Sequence, residues 1–321
     1  MTYKNYDSTF DNLLEDLKKN GVAVLPNVLD EKEIQEMKDG MWEMLEHVTS
    51  KFPLPIDKKK IETWSSILEL YPRHDMLIQH YVGHSQFMWN LRQNPKIAKI
   101  FGKIWNCNET DLLTSFDGLS IHFPPEITGG KFPPKVDKWF HTDQSYCRNN
   151  FECIQAYVTG YDVNEGDATL SVFEGSHNFH EECKNKFNIT NPSDWYKIKK
   201  EHYEFYDMKG CKEYNVLSKA GSLVFWDSRT IHQGKLPMET RKEPNTRLVV
   251  YICQTPRNRM SEEDLKKKQQ AFYDSRMTSH WPHKVTLFPE NPYPYHGKKL
   301  LEINKLPQPI LTDLGKKLAG F

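Results

Sequence analysis

A histidine and an aspartate two residues apart, His141 and Asp143, carry the most specific chemical signal in the sequence. They lie in a run that reads as a strand, 138–144, and residues i and i+2 of a strand point to the same side. Both side chains can therefore face one cavity. A second imidazole arriving from another strand would complete the set of two histidines and one carboxylate that holds iron(II) in non-haem oxygenases.

The bare pattern is weak, because the same spacing of a histidine and an acid occurs at His180 and at His202. The surroundings of His180 are polar and poor in strand formers, which favours a helix, where residues i and i+2 point apart. His202 follows two lysines and a glutamate, so we expect it on a solvated face. The context of the pattern therefore favours His141 as the metal ligand.

His232 is the imidazole that the fold can bring to this cavity. It lies 89 residues after Asp143, at the end of a predicted pair of strands, and this interval accommodates several strands of a barrel. Arg247 follows 15 residues later at the start of an apolar strand, where its charge is expected at the rim of a buried cavity and needs an anionic partner. A dicarboxylate cosubstrate would supply that partner through a bidentate pair. Arg241 is a rival, but its loop-like setting is expected to be exposed.

The composition argues against several classes of partner. Lysine plus arginine equals aspartate plus glutamate at 43 each, so no net positive charge attracts nucleic acid or an anionic membrane. No apolar run approaches the roughly 18 residues of a membrane span, and the first residues lack the pattern of a secretion signal. We expect a cytoplasmic protein whose six cysteines are free thiols. The lysine run 266–268 is expected on a solvated helix face.

The pattern of elements predicts a mainly β protein with flanking helices (α+β). Residues 1–110 are predicted to be mostly helical and to pack on a core at 111–255, where short strands separated by turns are typical of a double-sheet barrel. A helical insertion is expected at 180–212. Residues 256–321 are predicted to form one helix and an irregular tail, and the whole to form a single domain. The predicted helices are 8–19, 30–48, 97–105 and 261–277.

The order of these motifs resembles the phytanoyl-CoA dioxygenase family of iron(II)/2-oxoglutarate-dependent oxygenases, over roughly residues 10–255. The elements that carry the resemblance are 21–29 between two helices, His141-Thr142-Asp143, Gly175-Ser176-His177, the segment 221–232 and Arg247. The resemblance implies a double-stranded β-helix of the jelly-roll or cupin type. It also implies that His141, Asp143 and His232 hold the iron, and that Arg247 meets the C5 carboxylate of 2-oxoglutarate.

The activity implied by the resemblance is hydroxylation of a C–H bond in a small molecule, with O2 and 2-oxoglutarate consumed and succinate and CO2 released. Ascorbate is expected to stimulate the reaction. A carboxylate at Asp143 favours hydroxylation, because related halogenases have a small residue at that place. The alternatives are a protein or peptide hydroxylase, and a catalytically silent metal-binding barrel that acts as a binding module.

Further residues are candidates for the lining of the site. Where the family often has a tryptophan after the metal motif, this chain has Gln155 and Tyr157, which are candidates for a second contact with 2-oxoglutarate. Arg229 lies two residues from Asp227, so a structural ion pair is favoured over a catalytic role. His177 is expected to organise its turn. The candidates for substrate contact are Trp139, Asp117 and Arg229.

Overall fold

The computed structural model describes residues 2–70, 72, 76–130, 138–290 and 299–321. The α-helices of these residues are α1 (Leu13–Asn20), α2 (Glu31–Val48), α3 (Gln86–Arg92), α4 (Pro95–Trp105), α5 (Pro125–Thr128), α6 (His180–Phe187), α7 (Lys200–Met208), α8 (Glu262–Tyr273) and α9 (Asp313–Ala319). The 3-10 helices are Ile61–Leu70, Val82–His84, Glu109–Asp111, Ser176–Phe179 and Arg257–Arg259. The strands are β1 (Tyr3–Asn5), β2 (Val22–Leu25), β3 (Met76–Leu77), β4 (Leu112–Thr114), β5 (Leu119–His122), β6 (His141–Thr142), β7 (Ile154–Thr159), β8 (Thr169–Phe173), β9 (Tyr196–Lys197), β10 (Glu213–Leu217), β11 (Leu223–Asp227), β12 (His232–Lys235), β13 (Arg247–Ile252) and β14 (Gln254–Pro256).

The chain divides into two compact units, the first formed by residues 1–27 and 132–243 and the second by residues 28–131 and 244–321. Helices and β-sheets are both present, as the sequence predicts. No helix in the described part of the chain combines the length and the apolar character that crossing a membrane requires. All six cysteines are free thiols, as predicted.

The first unit contains a sheet with the strand order β1-β10-β8-β12-β6-β9 and a second set of paired strands in the order β2-β11-β7. Strands that follow each other along the chain alternate between the two sets: β6 lies in the sheet, β7 in the second set and β8 in the sheet again. The same alternation recurs with β11 and β12. The first sheet therefore brings together strands that are far apart in the sequence.

The predicted insertion at 180–212 is helical, and it also adds a strand to the sheet. Helices α6 and α7 flank β9, which pairs with β6 at the edge of the sheet. Phe140 precedes β6 and belongs to a buried cluster with residues of the insertion, among them Phe205 and Tyr206. Because neighbouring residues of an extended segment point to opposite sides, this anchorage directs His141 to the other face.

A tight turn at Gly21 supports the segment that leads into β12. Gly21 has a positive φ of 76°, and a side chain there would collide with Thr230 and His177. Its carbonyl accepts hydrogen bonds from the backbone N–H of Asp227 (3.0 Å) and from the Thr230 hydroxyl (3.0 Å). The connection between α1 and β2 therefore holds the turn before His232 in place.

In the second unit, β5 pairs with β13 and β3, and β14 pairs with β4. Asp30 caps helix α2, because its side chain accepts from the Glu33 N–H while the Glu33 side chain accepts from the Asp30 N–H. Part of the predicted irregular tail, 291–298, lies outside the described residues. The prediction was wrong at α9, where Thr312 caps the first turn through a 3.0 Å bond from the Gly315 N–H.

Lys268 is buried, with 1% of its surface exposed, so the prediction of a solvated face was wrong at this position. Its ammonium donates to the Thr114 carbonyl and lies 4.1 Å from the centre of the Phe116 ring. Burial, with the charges of Arg92 and Arg257 acting in the same direction, lowers the pKa of Lys268 to about 7. The neighbouring Lys267 is exposed, as predicted for the run.

We expect the Lys268→Met variant to lose a pH dependence of stability that the native protein has. Between about pH 7 and about pH 10 the unfolded chain binds a proton at Lys268 that the folded chain does not, so the native free energy of unfolding should rise with pH, by at most about 1.4 kcal/mol per pH unit. Urea unfolding at about pH 7 and about pH 9 measures this slope. Lys267→Met is the matched control and should keep the native slope, whereas a native slope in Lys268→Met would contradict the expectation.

Candidate metal centre

Strand pairing brings the predicted ligands together. Strands β6 and β12 are antiparallel neighbours, and His141 lies directly opposite His232 in their register. Asp143 follows β6 in a bend rather than within the strand, and its N–H donates to the Ser228 carbonyl at 3.0 Å. The exposed fractions are 5% for His141, 9% for Asp143 and 4% for His232.

The three side chains converge on one point. One ligand atom of each lies within 4.8 Å of the other two, as a metal site requires. The Nε2 atom of His141 is 3.6 Å from one carboxylate oxygen of Asp143, and the Nε2 atom of His232 is 3.2 Å from the other. The two imidazole rings lie 4.4 Å apart at an angle of 53°.

Backbone carbonyls decide which nitrogen of each imidazole faces the cavity. His141 Nδ1 is 3.2 Å from the Trp139 carbonyl, and His232 Nδ1 is 2.9 Å from the Thr230 carbonyl. A carbonyl only accepts, so each Nδ1 carries a proton, and in the neutral imidazole that binds a metal Nε2 then has the lone pair. Both Nε2 atoms face the Asp143 carboxylate. The donor set therefore fits a divalent metal of the iron(II) type.

Gln155 supports the carboxylate from β7. Its side-chain N–H donates to Asp143 at 2.9 Å, and its side chain is buried. Hydrogen bonds of this kind orient metal ligands and preserve their geometry before the metal arrives. Gln155 was predicted to contact 2-oxoglutarate, and the contact that the structure shows for it is with the metal ligand.

Arg229 holds the turn between β11 and β12. Its guanidinium makes two bonds to the Asp227 carboxylate, at 3.0 and 2.6 Å, and a third to the Asn149 carbonyl at 2.5 Å. The ion pair favoured by the sequence is thus present. Because this turn also carries Ser228 and leads into His232, Arg229 acts on the site by positioning the ligands.

The other predicted residues have different surroundings. The indole of Trp139 stacks on His141 at 4.8 Å and 17° and donates to the Gly234 carbonyl at 3.2 Å, so it fixes the plane of that ligand. Tyr157 is buried in β7 two residues after Gln155, with its ring 5.9 Å from that of Trp226. His177 bonds through Nε2 to the Lys18 carbonyl at 3.0 Å.

Two predicted residues belong to the second unit. Asp117 accepts a hydrogen bond from the Gly118 N–H at 2.7 Å, and its carbonyl accepts from Arg92. Arg247 is the first residue of β13, opposite His122, and is partly buried. Their expected contacts with substrate and with 2-oxoglutarate stay predictions.

Two expectations about exposure, for Arg241 and His202, were wrong. Arg241 was expected to be exposed, but 2% of its side chain is exposed and it forms an ion pair with Asp167 at 3.2 Å. His202 was expected on a solvated face, but it is 1% exposed, and its Nδ1 accepts from the Lys199 N–H at 3.1 Å. His180 begins a helix as predicted, yet it is buried and stacks on Tyr146 at 4.1 Å. Neither histidine belongs to the metal site.

Trp195 is a residue near the site that sequence reasoning missed. Its ring centre lies 5.6 Å from that of His141, and 49% of its surface is exposed. It comes immediately before β9, so its position depends on a strand pairing that no local motif in the sequence announces. Because the sequence of the insertion predicts helices, the short strand β9 between them was not predicted.

Comparisons with known proteins identify a family and relatives for this chain. Residues 17–236 match the family described as phytanoyl-CoA dioxygenase (PhyH). A protein of Aspergillus versicolor named Ava biosynthesis cluster protein O is 26% identical over 281 residues, which are 84% of this chain and 85% of that protein. The sequence similarity thus extends over most of both chains.

Several solved structures are similar in fold. The epimerase SnoN, solved in complex with Fe3+, alpha ketoglutarate and nogalamycin RO, has a TM-score of 0.50 at 15% identity, covering 95% of this chain and 96% of its own. SnoK, described as a non-heme alpha ketoglutarate dependent carbocyclase from nogalamycin biosynthesis, has a TM-score of 0.51 at 16% identity over 77% of this chain and 86% of its own. A hypothetical protein from Escherichia coli reaches 0.60 at 13% identity, covering all of this chain and 86% of its own. At these identities the likeness shows the fold alone.

Replacing Asp143 with alanine should abolish binding of a divalent metal. The variant keeps two imidazoles but loses the charged ligand that bridges them, and each lost ligand removes a metal–protein bond. Equilibrium dialysis against Co(II), followed by metal analysis, measures the bound metal. The Asp207→Ala variant, which removes an exposed aspartate of the same unit, should bind metal as the native protein does. Native metal content in Asp143→Ala would contradict the ligand assignment.

Proposed function

The chain belongs to the phytanoyl-CoA dioxygenase family of iron(II)/2-oxoglutarate-dependent oxygenases, and from this premise we propose that it hydroxylates a C–H bond of a small molecule. The observation that supports the proposal most strongly is the convergence of two imidazole Nε2 atoms and one carboxylate within 4.8 Å. His141, Asp143 and His232 would hold iron(II) by three ligands and would leave coordination positions for 2-oxoglutarate and O2.

The proposed reaction converts a C–H bond, O2 and 2-oxoglutarate to a C–OH bond, succinate and CO2. One oxygen atom of O2 enters the product and the other enters succinate, so atoms and electrons balance. Iron(II), when bound with 2-oxoglutarate, supplies the activation of O2 and the oxidative decarboxylation. The protein contributes the three ligands, the backbone carbonyls that fix the imidazole tautomers, and Gln155, which holds the Asp143 carboxylate.

We further propose that the strands form a double-stranded β-helix. The alternation of consecutive strands between the first sheet and the β2-β11-β7 set supports this assignment. In such a fold the ligands come from neighbouring strands of one sheet, as His141 and His232 do. The division of the chain at residues 110 and 255 stays a prediction from the sequence.

A small molecule is the substrate class that the relatives favour. The related Aspergillus versicolor protein takes its name from a biosynthesis cluster, and SnoN was solved with nogalamycin RO. The equal numbers of acidic and basic residues give no reason to expect a nucleic acid. We therefore propose a small organic substrate, with iron(II), 2-oxoglutarate and O2 as the cofactor and cosubstrates and ascorbate as a stimulant.

Succinate formation tests the proposed activity. Protein reconstituted with iron(II) should release succinate from 2-oxoglutarate in the presence of O2 and ascorbate, slowly without substrate, and the His232→Ala variant should release none. Succinate is measured by mass spectrometry, and the iron content of each sample by metal analysis. Native protein that holds iron in its site and yet forms no succinate would overturn the proposal.

The assignment of the 2-oxoglutarate carboxylate to Arg247 generates a separate prediction. Arg247→Met should raise KM for 2-oxoglutarate by about tenfold or more, because a hydrogen bond to a charged group contributes roughly 1.5–3 kcal/mol. Arg241→Met should instead lower the free energy of unfolding through loss of the buried pair with Asp167, with KM unchanged. Steady-state succinate kinetics and thermal unfolding of both variants distinguish the two arginines. A raised KM in Arg241→Met alone would reverse the assignment.

A further inference from the structure

The insertion contributes side chains to the same face of the sheet as the metal ligands. In the antiparallel pairing of β6 with β9, His141 lies opposite Lys197 and Thr142 opposite Tyr196. Directly opposed residues of two strands point to the same face, so Lys197 shares the face that carries His141. Trp195, two residues before Lys197, reaches the same face, because its ring lies 5.6 Å from that of His141.

Trp195 combines a half-exposed surface with hydrogen bonds on both sides of its backbone segment. About half of its surface is exposed (49%), although its ring lies against the His141 imidazole at 5.6 Å and 31°. The residue before it, Asp194, accepts from Arg148 at 2.5 Å and from the Ser145 N–H at 3.3 Å. Rigid aromatic groups bind with little loss of conformational entropy, so an indole held beside a metal site is suited to recognition.

Further hydrogen bonds tie the loop before Trp195 to the segment after Asp143. The Asn191 carbonyl accepts from the Ser145 hydroxyl at 3.1 Å, and the Trp195 N–H donates to the Ser193 hydroxyl at 3.3 Å. Arg148 also pairs with Glu152 at 2.7 Å, which fixes the guanidinium that holds Asp194. The position of the indole is thus set by the same segment that follows the metal ligand.

Lys197 supplies a positive charge two residues after Trp195 in the sequence. It is exposed and has no ion pair among the residues that the structure describes. By contrast Lys138, three residues before His141 in the sequence, forms an ion pair with Glu213 at 2.6 Å. An ammonium without a carboxylate partner is the group that an anionic substituent of a ligand would meet.

We propose that Trp195 and Lys197 form a substrate-recognition strip for a planar conjugated ring that bears an acidic group, such as a carboxylate or an acidic phenol. The ring stacks on the indole, and the acidic group pairs with the ammonium. Trp195 and Lys197 would then orient the ring beside the metal without touching the metal themselves. This inference rests on the proposed function, because it takes the triad as the reacting centre.

The experiment uses 2-naphthoate as the probe and native protein loaded with Co(II), which is paramagnetic and stays silent toward O2 chemistry. Nuclear magnetic resonance measures both the affinity of 2-naphthoate and the relaxation of its protons by the metal. We expect binding with enhanced relaxation, and weaker binding to Trp195→Ala by roughly three- to tenfold. Trp195→Phe should retain most of the affinity, and Lys197→Met should weaken 2-naphthoate binding by roughly threefold while leaving the neutral analogue 2-naphthylmethanol unaffected.

Matched controls come from the same insertion. Met208→Ala removes an exposed apolar side chain (71% exposed) and Lys200→Met removes an exposed lysine, and both should bind 2-naphthoate as the native protein does. Co(II) binding by every variant checks that the site remains folded. Bound Co(II) with no relaxation of the probe, or equal affinity in Trp195→Ala, would overturn the inference and leave the proposed function standing. Failure of the native protein to bind Co(II) at the triad would overturn the proposed function itself.

Discussion

The site depends on one geometric constraint, the convergence of two imidazoles and one carboxylate on a single point. His141 and His232 each direct Nδ1 to a backbone carbonyl, so both Nε2 atoms face the Asp143 carboxylate, at 3.6 and 3.2 Å. Such a donor set binds a divalent cation through neutral imidazoles and an ionised carboxylate. The fold around it therefore has to hold the three side chains in this arrangement.

Two structural devices provide that restraint. The Asp227–Arg229 pair and the Gly21 carbonyl lock the turn before His232, and that turn also accepts the Asp143 N–H through Ser228. On the face of β6 opposite His141, Phe140 packs in a buried cluster that holds the strand in position. Restraint of this kind prepares the geometry of a metal site before the metal binds. The insertion serves this restraint and also brings Trp195 to the site.

The convergence of His141, Asp143 and His232 could be predicted from the sequence because a histidine and an aspartate two residues apart can face one cavity, and the interval to His232 accommodates several strands of a barrel. The expected strand 138–144 is shorter than predicted, since Asp143 lies in a bend after β6 and His232 begins β12. The burial of three polar residues could not be predicted from the sequence, because it depends on long-range packing that overrides the preference of polar residues for solvent. These residues are Lys268, His202 and Arg241. The pairing of β9 with β6 could not be predicted either, because a two-residue strand between helices is too short to show a hydrophobic period.

The most direct test of the account is an anaerobic titration of the metal-free protein with iron(II) followed by 2-oxoglutarate. Chelation of iron(II) by a 2-oxo acid produces a charge-transfer absorption band in the visible region that neither component gives alone. The account predicts that this band appears with one iron per chain in the native protein and is absent from Asp143→Ala. Native protein that binds one iron per chain but shows no band with 2-oxoglutarate would contradict the account.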